Sequence, residues 1–244
     1  MQTRARLLSA AFPVFAAKGF GRVSIEEICT GAGFSRGAFY SNFDSLEELF
    51  HELYEERAAV LCRRVAGVFL EAEAEAEAWA EADARDGAGA DAGDGAEGGD
   101  GAEGEGGTST DVSRLTGRLA RLMLAEREWL LLESDFRAHA ARHPAAARVY
   151  SVRRGRLAEA LARGPAALTG KRTPPYGTGS CEEAARLALE AYDAVTAQLV
   201  LDGDAERAHE RFRCLLSRAW TRSGAEACRR LPPSGQGASP VGCP

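Results

Sequence analysis

Between Ser24 and Glu48 the sequence starts a helix three times, and the intervals are too short for anything but small helices set across tight turns. Ser24-Ile25-Glu26-Glu27 is a capping box, with Ser24 as N-cap and Glu27 placed to reach back to it. Ile25 and Ile28 face inward, and Gly31-Ala32-Gly33 then breaks the helix. Ser35 caps a very short helix, Arg36-Gly37-Ala38-Phe39-Tyr40. Asp44-Ser45 restarts the chain, and Ser45-Leu46-Glu47-Glu48 is a second capping box. The helix that follows carries Leu46, Leu49, Phe50, Leu53 and Tyr54 on one face. Ahead of these lies a helix from about Thr3 to Lys18, with an apolar stripe of Leu7, Leu8, Ala11, Phe12 and Phe15. Gly19 is expected to end it in a left-handed conformation with Phe20 folded back over the end. Pro13 removes one donor and should kink it.

The rest of the chain reads as helix with no alternating strand, so the fold class is all-α. Leu115, Leu119, Leu122 and Met123 form one stripe. Glu128 to Glu133 opens a helix that is apolar nearly all round and ends near Arg142-His143-Pro144. Further helices cover about Ala145 to Arg163, Glu182 to Leu201 and Asp204 to Ser223, with Thr169 to Ser180 a Pro/Gly loop. No apolar run reaches the roughly 18–20 residues that a membrane helix needs. Nothing at the N-terminus reads as a signal peptide, so the expected location is the cytoplasm.

The formal charge of −6 would argue against nucleic acid if it were evenly spread, and it is not. Glu71 to Asp111 holds eight Glu and six Asp against Arg85, a net −13, which leaves +7 on the remaining residues. Its first part, Glu71 to Ala84, suits an extension of the preceding helix, since Ala and Glu are good helix formers. Residues 86–110 are Gly, Asp and Glu without apolar periodicity and are expected to be disordered. A flexible anionic segment there is expected to compete weakly with other polyanions for a basic face or to serve solubility. The expected organisation is a helix-turn-helix unit at 1–46, a connecting helix at 47–85, the insertion at 86–110, a helical domain at 111–230 and a loose tail at 231–244.

Two short helices across a glycine turn make a helix-turn-helix, and the outward positions of the second suit DNA. Gly37 and Ala38 let the backbone approach base edges, and Ala38 can touch a thymine methyl. Arg36 can donate two bonds to guanine or one to phosphate. Ser24, Ser35, Tyr40 and Asn42 are neutral donors suited to phosphate oxygens. Residues 1–43 carry a net +3. In combination, Gly19-Phe20, the capped helix from Ser24, Ala32-Gly33-Phe34-Ser35, Gly37 to Tyr40, Phe43 and the Ser45 restart resemble the DNA-binding signature of TetR-family transcriptional regulators over about residues 5–55.

That resemblance implies an N-terminal three-helix DNA-binding domain with Ser35, Arg36, Gly37, Ala38, Tyr40 and Asn42 on the major-groove face. It also implies a C-terminal helical domain that binds a small, partly apolar effector and dimerises through its last two helices. The expected function is a regulator, of the repressor kind, that binds a near-palindromic double-stranded operator as a homodimer and leaves it on binding effector. The alternative is a structural or partner-controlled DNA-binding protein without a ligand. The chain departs from the family at position 46, where Leu replaces the usual phosphate-binding Lys.

Candidate effector-pocket residues are Met123, Trp129, Phe136, His139, Tyr150 and Tyr192, aromatic or polar groups on the middle helices. Asp135, His139 and His143 share a helical face at metal-ligand spacing, but His143 at a helix end is explained by terminal carbonyls, so no metal is expected. Glu47-Glu48 and Glu55-Glu56 read as solvated faces. No nucleophile–base set, phosphate loop or membrane segment is present, so neither enzyme nor cofactor is expected. The six cysteines form no CxxC pair, and disulfides are not expected.

Overall fold

A computed structural model describes residues 2–88, 105–164 and 181–220, and these are helical with no strand among them. The order is α1 (Gln2–Lys18), a 3-10 turn (Phe20–Arg22), α2 (Ile25–Ala32), α3 (Arg36–Tyr40), α4 (Leu46–Ala88), α5 (Glu105–Met123), α6 (Arg127–Ala140), α7 (Pro144–Leu161), α8 (Cys181–Asp202) and α9 (Ala205–Trp220). Helix α1 runs through Pro13 as a single element. Helix α4 extends to Ala88 and α5 begins at Glu105, so helix reaches into both edges of the segment expected to be disordered. The rest of that segment, the Pro/Gly loop beyond Gly164 and the C-terminal tail lie outside the described residues.

Local chemistry sets the helix ends. The Ser24 Oγ accepts from Glu27 N–H while the Glu27 carboxylate accepts from Ser24 N–H, the reciprocal box expected. Helix α2 persists to Ala32, through the first two residues of the expected break, and Gly33 supplies the left-handed cap at φ 72° and ψ 34°. The box at α4 is only half formed. Ser45 Oγ accepts from Glu48 N–H at 3.0 Å, but the Glu48 carboxylate turns to Asp44 N–H instead of Ser45. Gly19 departs from expectation too: φ 77° is positive but ψ 152° is extended, not left-handed helical. A side chain there would strain the backbone and would meet the Asp135 carboxylate at 3.0 Å. That carboxylate accepts the Phe20 N–H at 3.0 Å, tying the end of α1 to α6.

One continuous core runs from Leu7 in α1 to Trp220 in α9. Its bridge is a run of aromatic rings on α4. Phe50 meets Phe15 at 5.0 Å, Phe20 at 4.4 Å and Phe136 at 5.3 Å. Phe136 stacks on Tyr54 at 3.8 Å, and Tyr54 continues to Trp129 and Tyr150. Arg4 adds a two-pronged pair to Glu52 and lies over the Phe43 ring at 4.2 Å.

Phe50→Ala should lower stability by about 3–5 kcal/mol, because a fully buried ring that touches two parts of the molecule is lost at once. The urea midpoint of unfolding measures this, and a change under about 1 kcal/mol would contradict the bridging role.

Candidate nucleic-acid interface

Helix α3 is a single turn and a half, so its presentation depends on what surrounds it. Ser35 caps it by accepting from Ala38 N–H at 3.2 Å. Phe39 is fully buried and pins the inner side, packing near Phe43 at 5.7 Å. At the far end Ser41 Oγ donates to the Gly37 carbonyl at 2.9 Å, and Asn42 Nδ2 donates to the Ala38 carbonyl at 2.8 Å. Arg6 reaches from α1 to the Ala32 carbonyl at 2.9 Å and lies over Phe34, holding the turn.

This leaves Ser35, Arg36, Gly37 and Tyr40 exposed, with Ala38 half-buried beside them. Ser24 stands exposed at the start of α2, its hydroxyl engaged in the cap. Asn42 is half-buried and already uses one amide hydrogen on the helix end. The seven residues therefore lie on or beside one turn-and-helix surface, but Ser24 and Asn42 also serve the local fold. Arg36 has a partner that the sequence reading missed. Its guanidinium donates to Glu26 at 2.8 Å, across the turn. The Tyr40 oxygen first and Glu26 second hold that charge above its ordinary value. Leu46, at the position where a phosphate-binding Lys is usual, packs half-buried against the core.

The six expected pocket residues do not assemble into one site. Trp129 and Tyr150 line a small cavity between α4, α6 and α7, together with Tyr54, Ala58, Glu133 and Arg154. Its volume is about 10 Å³, room for one water at most. Tyr192 lies behind it, accepting from Trp129 Nε1 at 3.2 Å and donating to Glu133 at 2.7 Å. Phe136 is consumed by its stack on Tyr54, Met123 is buried elsewhere in the core, and His139 faces α4 instead. The miss has a simple origin: the cavity's most consequential group is an acid. Glu133 sits in an apolar-looking run, and only burial reveals it.

The four acids read as solvated faces are also mostly partnered. Glu47 lies 3.1 Å from His139 Nε2, Glu48 accepts from Asp44 N–H, and Glu55 accepts from Arg153 at 2.8 Å.

Burial pushes the Glu133 carboxyl up from 4.5 to about 7; the Tyr192 hydrogen bond opposes this and the Asp193 charge adds to it. The folded state therefore favours the protonated acid. Its contribution to stability is full below pH 4.5 and is lost as pH rises to about 7. Glu133→Gln keeps an acceptor for Tyr192 and cannot ionise. Between pH 5 and 8 the native chain should lose about 2–3 kcal/mol more stability than this variant, read from urea unfolding at both pH values. Parallel pH dependences would refute the assignment.

The comparisons with known proteins fit this surface. Residues 7–53 match the model of bacterial regulatory proteins of the tetR family. The HTH-type transcriptional regulator YfiR of Bacillus subtilis (strain 168) is 40% identical over 52 residues, which are 21% of this chain and a quarter of that relative's length. A TetR-family transcriptional regulator from Mesorhizobium loti MAFF303099 has a similar fold, with a TM-score of 0.65 at 19% identity, over 89% of this chain and 95% of that one. Bacillus subtilis FadR in complex with stearoyl-CoA has a TM-score of 0.58 at 12% identity, over 87% and 97% of the two chains. The local match falls on the segment that builds the exposed short helix, and the wider likeness is one of fold: residues 7–53 carry the DNA-binding signature of the tetR family of bacterial regulatory proteins, and the chain shares the all-helical architecture of such regulators.

Proposed function

We propose that the chain is a transcriptional regulator that binds a near-palindromic operator as a homodimer, represses from it, and is released by a partly apolar effector. The observation that carries the reading is the surface of α3, where small residues and Arg36 stand free of the core on a helix whose inner ring, Phe39, is locked. One such helix reads too few base pairs alone. A two-fold dimer supplies a second, spaced about one helical turn (roughly 34–36 Å) away. Helices α8 and α9 are the dimer elements implied by the family, and Leu201 on α8 is left largely exposed.

Release follows a population shift: effector binds the conformation whose recognition helices are wrongly spaced for the operator. The aromatic run on α4 connects the cavity region to α1, so a displaced Tyr54 or Tyr150 reaches the DNA-binding unit through packed rings. FadR's stearoyl-CoA supports the idea that this architecture opens around a large, partly apolar molecule. The nearly filled cavity favours the second reading, a DNA-binding protein with no ligand or with a protein partner. A screen of amphipathic compounds for release of bound operator distinguishes the two.

Arg36→Ala combined with Tyr40→Phe should abolish operator binding, measured by fluorescence anisotropy on operator fragments, while circular dichroism stays native. Unchanged affinity would sink the DNA-binding reading. Leu46→Lys should add a phosphate contact in each protomer, steepening the fall of log affinity with log salt by about 1.8 for the dimer. An unaltered slope would mean that position 46 does not face the backbone.

A further inference from the structure

We propose that Glu47, His51 and His139 form a binding site for a divalent first-row transition metal, with Zn²⁺ as the type case, at the joint between the start of α4 and the end of α6. The site stands independently of the DNA-binding reading. Glu47 and His51 are one turn apart on α4. His139 comes from a different helix and places its Nε2 3.4 Å from His51 Nε2 and 3.1 Å from Glu47 Oε1. The remaining edge, His51 Nε2 to Glu47 Oε1, is 3.8 Å.

A tetrahedral Zn²⁺ with bonds of about 2.0–2.1 Å holds neighbouring ligand atoms about 3.3–3.4 Å apart. The three observed edges bracket that value, and a tetrahedral ion set above the triangle of these atoms would lie about 2.1 Å from each, within the range of Zn–N and Zn–O bonds. Hydrogen bonding alone accounts for the convergence poorly. A single proton on His139 Nε2 can point at His51 or at Glu47, and the atom that it does not serve is left against a nitrogen whose hydrogen is directed elsewhere. Two imidazoles and a carboxylate are a donor set suited to Zn²⁺ and its neighbours, and three protein ligands leave a fourth position for water.

The surroundings suit an ion held in place. The His143 ring stacks on His139 at 4.1 Å, with Phe20 at 4.9 Å and Phe50 at 5.9 Å, while Phe136 lies 5.4 Å from His51. These rings fix the imidazole orientations and limit solvent. Access is through Glu47, whose side chain is about half exposed. A bound ion would clamp α4 to α6 beside the Asp135–Phe20 bond, where the N-terminal helices meet the rest of the molecule. Asp135 and His143, which the sequence spacing groups with His139, are not ligands: Asp135 is turned to Phe20, and His143 stacks instead of converging.

The test uses the full chain, stripped with chelator, titrated with Zn²⁺ by calorimetry and with Co²⁺ in the visible. One saturable ion per chain and the intense absorption of four-coordinate Co²⁺ are expected. Glu47→Gln and His51→Asn should each weaken binding at least about tenfold. His209→Asn, outside the cluster, should not. Glu47 is partly exposed, so its variant folds whatever the role of the site. Zn²⁺ affinity unchanged by both Glu47→Gln and His51→Asn would overturn the proposal, since it would place the ion elsewhere, as on the acidic stretch. No saturable binding, or only the weak spectrum of octahedral Co²⁺, would overturn it equally.

Discussion

The structure depends on the ring of Phe50. It is fully buried on α4 and packs at once against Phe15 and Phe20 from the end of α1 and against Phe136 of α6. Beside it the N-terminal helices are tied to the rest by the Asp135–Phe20 hydrogen bond, the Phe20–His139 ring contact and half-exposed ion pairs, and exposed pairs contribute about 0–1 kcal/mol each. Aromatic contacts add about 0.5–1.5 kcal/mol beyond the area they bury, and here several are chained. The chain continues through Phe136 and Tyr54 to Trp129, whose N–H reaches Tyr192 and so the buried Glu133. The unit that carries the exposed helix α3 and the interior acid thus share one packed connection.

At the surface proposed to meet DNA the requirement is opposite: groups must be held near the surface yet left free to change partners. Phe39 provides the hold from inside, and Ser35, Ser41 and Asn42 satisfy the ends of α3. Arg36 meanwhile rests on Glu26, an exposed ion pair that costs little to exchange for phosphate or guanine. The net −6 loses its force as an objection because the acid is concentrated in a stretch remote in sequence from these residues. Leu46 trades a possible cation for apolar packing against the core.

The interior shows the converse economy. Among the described residues Glu133 is an acid without an ion-pair partner inside hydrogen-bond range, carried by one phenol and by its own raised pKa. Arg154 pairs with Asp193 on the outer side of the same region. A protonated or neutralised Glu133 is what the surrounding rings tolerate, and the small remaining void is lined by those rings.

The sequence alone determined the helical class, the cap residues Ser24 and Ser35 and the short exposed helix that follows Ser35, because those features rest on hydrogen bonds between residues three or four apart. It also located the surface where Arg36, Gly37 and Tyr40 lie together, since a single turn brings them there. It did not determine the cavity or the His–Glu cluster. Trp129 and Tyr150 were legible as pocket candidates, but Tyr54 and Glu133 were not, and His139 was grouped with Asp135 and His143 by spacing. His139 meets Glu47 across 92 positions and His51 across 88, and Tyr192 meets Glu133 across 59. Helical periodicity says which face a residue occupies but not which other helix that face meets. Packing of the rings around Phe50 decided that, and with it which polar groups were brought together.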